Sequence, residues 1–193
     1  MSWDQTVTKA DFEQAPTGTK VARCYQLIDL GTQHNEFYDK DKHQVIIGFE
    51  LPKDLREDGK PFFISQFYTV SLGERAKLRK HLESWRGASL EDDQRTVKEI
   101  LMTVIGKPAY LSIIEKEGRS RIETILRPPD DANIPEAVNE PFVFLLDEFT
   151  EEKWDKLSEG LKNLIRRSPE YKKLRGLDQI SAKEPFDEEE VPF

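Results

Sequence analysis

Alternating apolar residues stop at Ser71, give way to helical spacing, and resume at Tyr110. That switch of period, from two to 3.6 and back, limits the folds open to the chain. The first β-prone run begins at Lys20 and holds Val21, Cys24, Tyr25, Leu27, Ile28 and Leu30, closed by Gly31. Residues 32–42 are polar and turn-rich, so a loop is expected there. A second strand is expected over 43–51, with Val45, Ile47, Phe49 and Leu51 on one face, Gln44 and Glu50 on the other, and Pro52 as its stop. After a charged turn with Asp58-Gly59, a third strand is expected over 62–70. One of its faces carries Phe62, Ile64, Tyr68 and Val70; the other carries Phe63, Ser65, Phe67 and Thr69.

Ser71-Leu72-Gly73-Glu74 then reads as a capping box. Leu78, Leu82 and Trp85 follow at helical spacing, which places Trp85 in the core, and Gly87 closes the helix. Residues 89–105 read as a second short helix. Gly106-Lys107-Pro108 restarts the chain, and 110–115 with 120–126 form a hairpin through Lys116-Glu117-Gly118-Arg119. Three strands, a helical insert and two strands is the element order of the OB-fold, a five-stranded Greek-key barrel. The expected fold is therefore a β-barrel with added helices (α+β): an OB-fold-like barrel, a helical insert between strands 3 and 4, and a C-terminal helix.

The expected organisation is a flexible arm over 1–19, the OB-fold-like core over 20–128, an extension over 129–175, and a disordered acidic tail over 176–193. In the extension, residues 142–146 are apolar and Thr150 is placed as an N-cap. Phe149 and Trp154 form a hydrophobic staple, and Trp154, Leu157, Leu161, Leu164 and Ile165 make one helix face that Ser168-Pro169 ends.

Several functions lack their residues. There is no phosphate-loop motif, no nucleophile elbow and no His-Glu-x-x-His pair, so an enzyme is not expected. Asp39, Asp41 and His43 alternate, but they sit in a turn-like segment and are too few for a metal site; no metal or cofactor is expected. Cys24 is the single cysteine and fits a reducing, cytoplasmic setting. No stretch approaches the roughly 18 apolar residues that cross a bilayer, and residues 1–20 carry no cleavable signal pattern, so no membrane association is expected.

The net charge of −8 hides an asymmetry. Five acids fall in the last ten residues, whereas 20–127 is near neutral, at about +2. Residues 162–175 hold six cations against Glu170 alone. A single-strand binder needs a cationic groove and exposed rings on which bases stack, each worth about 1–3 kcal/mol. Phe63 and Phe67 lie on the wet face of the third strand; stacking platforms explain them, as does cover by the C-terminal helix or by another subunit. Phe37, Tyr38, Lys40 and Lys42 fall between strands one and two, and Lys116, Arg119 and Arg121 between strands four and five. In OB-folds those two loops flank the ligand groove.

The chain ends Pro185-Phe186-Asp187-Glu188-Glu189-Glu190-Val191-Pro192-Phe193. This ending resembles the C-terminal tip of bacterial and phage single-stranded DNA-binding proteins, with glutamates for the more usual aspartates and valine for isoleucine. In such a tip the terminal ring fills an apolar pocket and the α-carboxylate meets a partner's cation, while the acids steer the approach. Asp187, Glu188, Glu189, Glu190, Val191, Pro192 and Phe193 are the expected partner-binding residues. The body, through residues 21–32, 68–87 (YTVSLGERAKLRKHLESWRG) and Gly106-Lys107-Pro108, resembles OB-like single-stranded DNA-binding proteins of phage replication. The resemblance covers about residues 20–128 and implies DNA replication, recombination or repair inside a bacterial cell, for a chain that is bacterial or phage-encoded.

The expected function is thus sequence-independent binding of single-stranded DNA, with replication, recombination or repair proteins recruited by the tail. Two rivals stay open: a protein-interaction adaptor built on an OB-like barrel, and a recombination annealing or mediator protein. Oligomeric state, including a homo-oligomer, is open as well.

Overall fold

A computed structural model describes residues 13–177. The elements are β1 (Gly18–Asn35), β2 (Lys40–Leu55), β3 (Pro61–Thr69), α1 (Lys77–Arg86), α2 (Val97–Val104), β4 (Pro108–Lys116), β5 (Arg119–Leu126), β6 (Phe142–Phe144), a 3-10 turn (Leu146–Glu148), α3 (Glu151–Asp155), α4 (Glu159–Arg166) and α5 (Pro169–Leu174). The class is α+β, with an open antiparallel sheet in the order β3-β2-β1-β4-β5 and β6 paired to β1. β1 meets β4 from Gly18↔Ile113 to Arg23↔Pro108. β4 meets β5 from Tyr110↔Leu126 to Lys116↔Arg119, with a bulge between Ser112 and Ile113. Glu117 and Gly118 both have positive φ, 54° and 69°, which closes this hairpin as a two-residue type I′ turn.

The chain groups into two compact units. Of the described residues, unit 1 comprises 13–26, 47–66 and 71–142; unit 2 comprises 27–46, 67–70 and 143–177. In unit 1, α1 packs on β5. Leu78, Leu82 and Trp85 are buried, and Trp85 lies 5.3 Å from Phe49. Its indole N–H donates to the Pro108 carbonyl at 2.7 Å, which satisfies the one polar atom that burial would strand. Unit 2 is built on an aromatic cluster in which Trp154 stacks on Tyr171 at 4.8 Å and Phe149 sits 5.8 Å from Trp154. Thr150 caps α3 by accepting from the Lys153 amide, so the staple forms on a capped helix.

Several expected boundaries move. β1 runs through Gly31 to Asn35, and only residues 36–39 turn. Gly31 is a close-approach residue and not a strand end: its φ is +67°, and a Cβ there would lie 2.6 Å from the Ser168 Cβ. Pro52 does not stop β2, because one lost ladder donor does not end a strand. Residues 45–51 are buried on both faces, Glu50 included. Its carboxylate accepts from the Val138 amide at 2.5 Å, the Asn139 amide at 3.0 Å and the Asn139 side chain at 2.6 Å. The capping box at Ser71–Glu74 does not form: α1 starts at Lys77 with Ala76 at its N-cap and no side-chain cap. The real box lies at Thr96 and Glu99, so the second helix is shorter than 89–105. The C-terminal helix breaks into three, with Ser158 and Ser168 capping α4 and α5 and Pro169 opening the last one.

Candidate nucleic-acid interface

On β3 the alternation holds: Ile64 and Tyr68 are buried, whereas Phe63 and Phe67 are 44% and 46% exposed. In unit 1 the Phe63 ring meets Tyr25 edge-to-face at 5.6 Å. Beneath it lies Gly48, where a Cβ would come within 2.7 Å of the Phe63 ring and 2.9 Å of the Gln26 Cβ. Glycine there makes room for the ring, which rests partly on backbone. Burial, and then the Glu50 charge, push the Tyr25 phenol up to about 12, so it adds a neutral ring. A cleft of about 270 Å³ opens beside Phe63, lined by Gln14, Ser65 and Ser120 among others.

The hairpin cations belong to the same unit. Lys116 and Arg119 pair across the type I′ turn, and both are exposed, as is Arg121. The tip is strapped by residues 14–15: the Gln14 side chain donates to the Gly118 carbonyl at 3.0 Å and accepts from the Ser120 amide at 2.7 Å, and the Ser120 hydroxyl donates to the Ala15 carbonyl at 2.5 Å. Arg121 has a neighbour that the sequence analysis did not single out, Lys77. Lys77 is lowered from its ordinary pKa first by burial and then by the Arg121 charge, and it donates to the Gln66 side chain at 3.1 Å. Lys77 opens α1, whose first turn carries no acid, against the helix dipole, a feature hidden in sequence by the expected start at Ser71.

Unit 2 holds the other group. Phe37 and Tyr38 occupy the turn between β1 and β2, 86% and 63% exposed, and touch each other edge-to-face at 4.8 Å. The Tyr38 amide donates to the Asn35 side chain at 3.1 Å. Lys40 and Lys42 open β2, two residues apart and exposed. The alternating Asp39, Asp41 and His43 do not converge. Asp41 and Asp39 lie 2.8 and 3.7 Å from His34, whereas His43 bonds Asp29 at 2.7 Å and lies 3.8 Å from Glu170. No group of three or more His, Cys, Asp or Glu among the described residues is placed to hold a metal ion.

Half of the six cations in the basic stretch 162–175, Lys162, Arg166 and Arg175, are committed to structure. Arg175 makes a two-pronged pair with Glu151 at 2.6 and 3.0 Å and covers the Phe149 ring at 4.7 Å. Arg166 covers Trp154 at 5.5 Å. Cys24 is buried and its thiol is pushed up to about 12 by that burial, which leaves it unreactive at neutral pH. The expected partner-binding residues, Asp187 to Phe193, lie outside the described residues.

No protein-family model matches the chain, and no curated protein matches it. No helix among the described residues is long and apolar enough to cross a membrane.

Proposed function

We propose that the protein binds single-stranded DNA without sequence preference and without catalysis, by stacking bases on exposed rings and holding phosphates with nearby cations. The observation that carries this reading is Phe63: a large ring left 44% exposed on a strand whose other face is core, yet held by Tyr25 and seated over Gly48. An exposed ring held in one pose gains little for folding and presents a ready stacking surface. Each unit pairs rings with cations: Phe63 with Lys116, Arg119 and Arg121 in unit 1, and Phe37, Tyr38 and Phe67 with Lys40 and Lys42 in unit 2.

We read the sheet as OB-like. Its order, β3-β2-β1-β4-β5, is that of a five-stranded Greek-key barrel opened between β3 and β5. Residues 13–15 bond both to the β2–β3 turn, where Glu13 accepts from the Glu57 amide at 3.3 Å, and to the β4–β5 hairpin. The C-terminal tip, Asp187 to Phe193, recruits replication, recombination or repair proteins in the bacterial cytoplasm.

The test is a fluorescence titration with oligo-dT and with duplex of equal length at two salt concentrations. Single strands should bind more tightly, the affinity should fall as salt rises, and Phe63→Ala with Phe67→Ala should weaken it. Wild-type protein that ignores oligo-dT at low salt would falsify the reading. Deleting residues 184–193 should leave oligo-dT affinity intact or higher and abolish partner capture.

A further inference from the structure

Unit 1 contains a second cationic site, away from every residue assigned above. A cleft of about 590 Å³ is lined by Arg23, Arg86, Arg95, Lys107 and Arg127 against one acid, Asp130. In a chain of net charge −8, five cations converge on this cleft, although acids offset all but Lys107. Its other walls are apolar, from Trp85, Val104, Pro108, Pro128 and Ile134.

The cations divide by role. Arg23 is structural and neutralised, donating to the carbonyls of Gly106, Ile134 and Pro135 at 3.2, 3.2 and 2.9 Å and pairing with Glu136 at 3.2 Å, and so fixing one wall. Arg86 and Arg95 share Asp93, at 3.0 and 2.6 Å, and Arg95 also feels the Glu99 charge, so these two are offset by acids. Lys107 is exposed and pairs with no acid among the described residues. Arg127 is held at its base: its amide donates to the Ser84 carbonyl at 3.2 Å, and its side chain lies over Gly87, where a Cβ would sit 3.1 Å from its Cδ. Among the described residues its head pairs with Asp130, in a pair 58% and 91% exposed, which an incoming anion can displace.

We propose that this cleft binds a nucleoside monophosphate, with the phosphate between Lys107 and Arg127 and the base on the proline and isoleucine walls. The volume lies in the range of small-molecule sites, and apolar walls beneath a few convergent charges fit a ring that carries an anion. The site does not depend on the single-strand reading. Its ligand is either a free nucleotide or the phosphorylated end of a strand, and both offer the same chemistry.

The experiment is calorimetric titration of the full chain with dTMP, thymidine and inorganic phosphate. dTMP should bind about tenfold or more tightly than either fragment, since ring and phosphate act together. Lys107→Glu and Arg127→Glu, both at exposed positions, should each weaken dTMP about tenfold or more with an unchanged melting temperature. Phe63→Ala should leave dTMP binding as it was. The proposal is overturned if dTMP binds no better than phosphate, if either charge reversal leaves it unaffected, or if Phe63→Ala abolishes it. Two oligo-dT strands, with and without a 5′-phosphate, identify the source. A phosphate preference that Lys107→Glu removes marks a strand end, and no preference beside tight dTMP binding marks a free nucleotide.

Discussion

Phe63 in unit 1 and Phe37 in unit 2 are both exposed rings in units that also present exposed cations, and the protein holds them differently. Phe63 stands on a strand, 44% exposed, edge-on to Tyr25 and seated over Gly48. Phe37 stands in a four-residue turn, 86% exposed, with Tyr38 as its ring neighbour. A ring already fixed in its binding pose keeps more of its stacking energy, because less side-chain freedom is lost when a base arrives. A ring at a turn tip adapts to more strand geometries but gives up part of that energy to ordering. The units differ in their histidines too. His81 in unit 1 is kept neutral by burial and by Lys77, whereas the pKa of His43 in unit 2 is raised by its bond to Asp29.

The strongest way to break the contrast is to loosen the strand under Phe63. Glu50 lies two residues beyond Gly48 on β2, fully buried, and accepts from both the Val138 and Asn139 amides. Glu50→Ala strands those donors and should cost about 3 kcal/mol in urea unfolding. Asp41→Ala, in the exposed segment next to the unit 2 turn, should stay within about 0.5 kcal/mol. Equal losses in the two variants would mean that unit 1 is no more firmly anchored than the turn.

The two histidines should drive stability in opposite directions with pH. His81 has its pKa lowered to about 4 from an ordinary 6.5, by burial first and then by Lys77, while its Nε2–H donates to the Glu123 carbonyl at 3.0 Å. The unfolded chain therefore takes up the proton first as pH falls, and the fold loses about 2 kcal/mol between pH 6.5 and 4.5. His43 is raised, chiefly by the Asp29 hydrogen bond, so its contribution is full below pH 6.5 and fades as pH rises through its raised value. Burial pushes the Asp29 carboxyl up, but bonds from His43 and the Gly31 amide outweigh it and hold the group below 3.8. The Asp29 contribution is present above that value and lost as pH falls through the lowered one. Urea titrations at several pH values check this: His81→Gln should flatten the loss on acidification, and His43→Gln should cost stability most between about pH 4 and 6.5. An unchanged acid limb in His81→Gln would refute the assignment.

What the sequence made legible was local periodicity. The wet face of β3, the buried stripe Leu78–Leu82–Trp85, the hairpin at Glu117-Gly118 and the Thr150 cap all follow from spacing within a few residues, which the backbone imposes whatever surrounds it. Misreadings arose where a local signal has a tertiary cause. Gly31 and Pro52 look like stops, yet Gly31 makes room for Ser168 and Pro52 sits inside a strand. Glu50 looks like a solvent-facing residue because amides almost ninety positions away cannot be seen from β2. Gly48 gave no sign of carrying a ring fifteen residues downstream. The cations of the second cleft are scattered from Arg23 to Arg127, so no window of sequence displays them together.

The finest test compares the rings themselves. Phe63→Ala should weaken oligo-dT binding by about 2 kcal/mol, in the usual range for one stacked base. Phe37→Ala should cost about 1 kcal/mol or less, because Tyr38 beside it in the exposed turn recovers part of the loss. Neither change should move the urea midpoint far, since both rings are substantially exposed. Gly48→Ala separates pose from presence: it keeps Phe63 but drives a methyl to within 2.7 Å of its ring, so the ring must leave its seat. If seating is what makes Phe63 the stronger platform, Gly48→Ala reduces its contribution to that of Phe37. If affinity survives with the ring displaced, area alone governs stacking, and the two units are equivalent as binding surfaces.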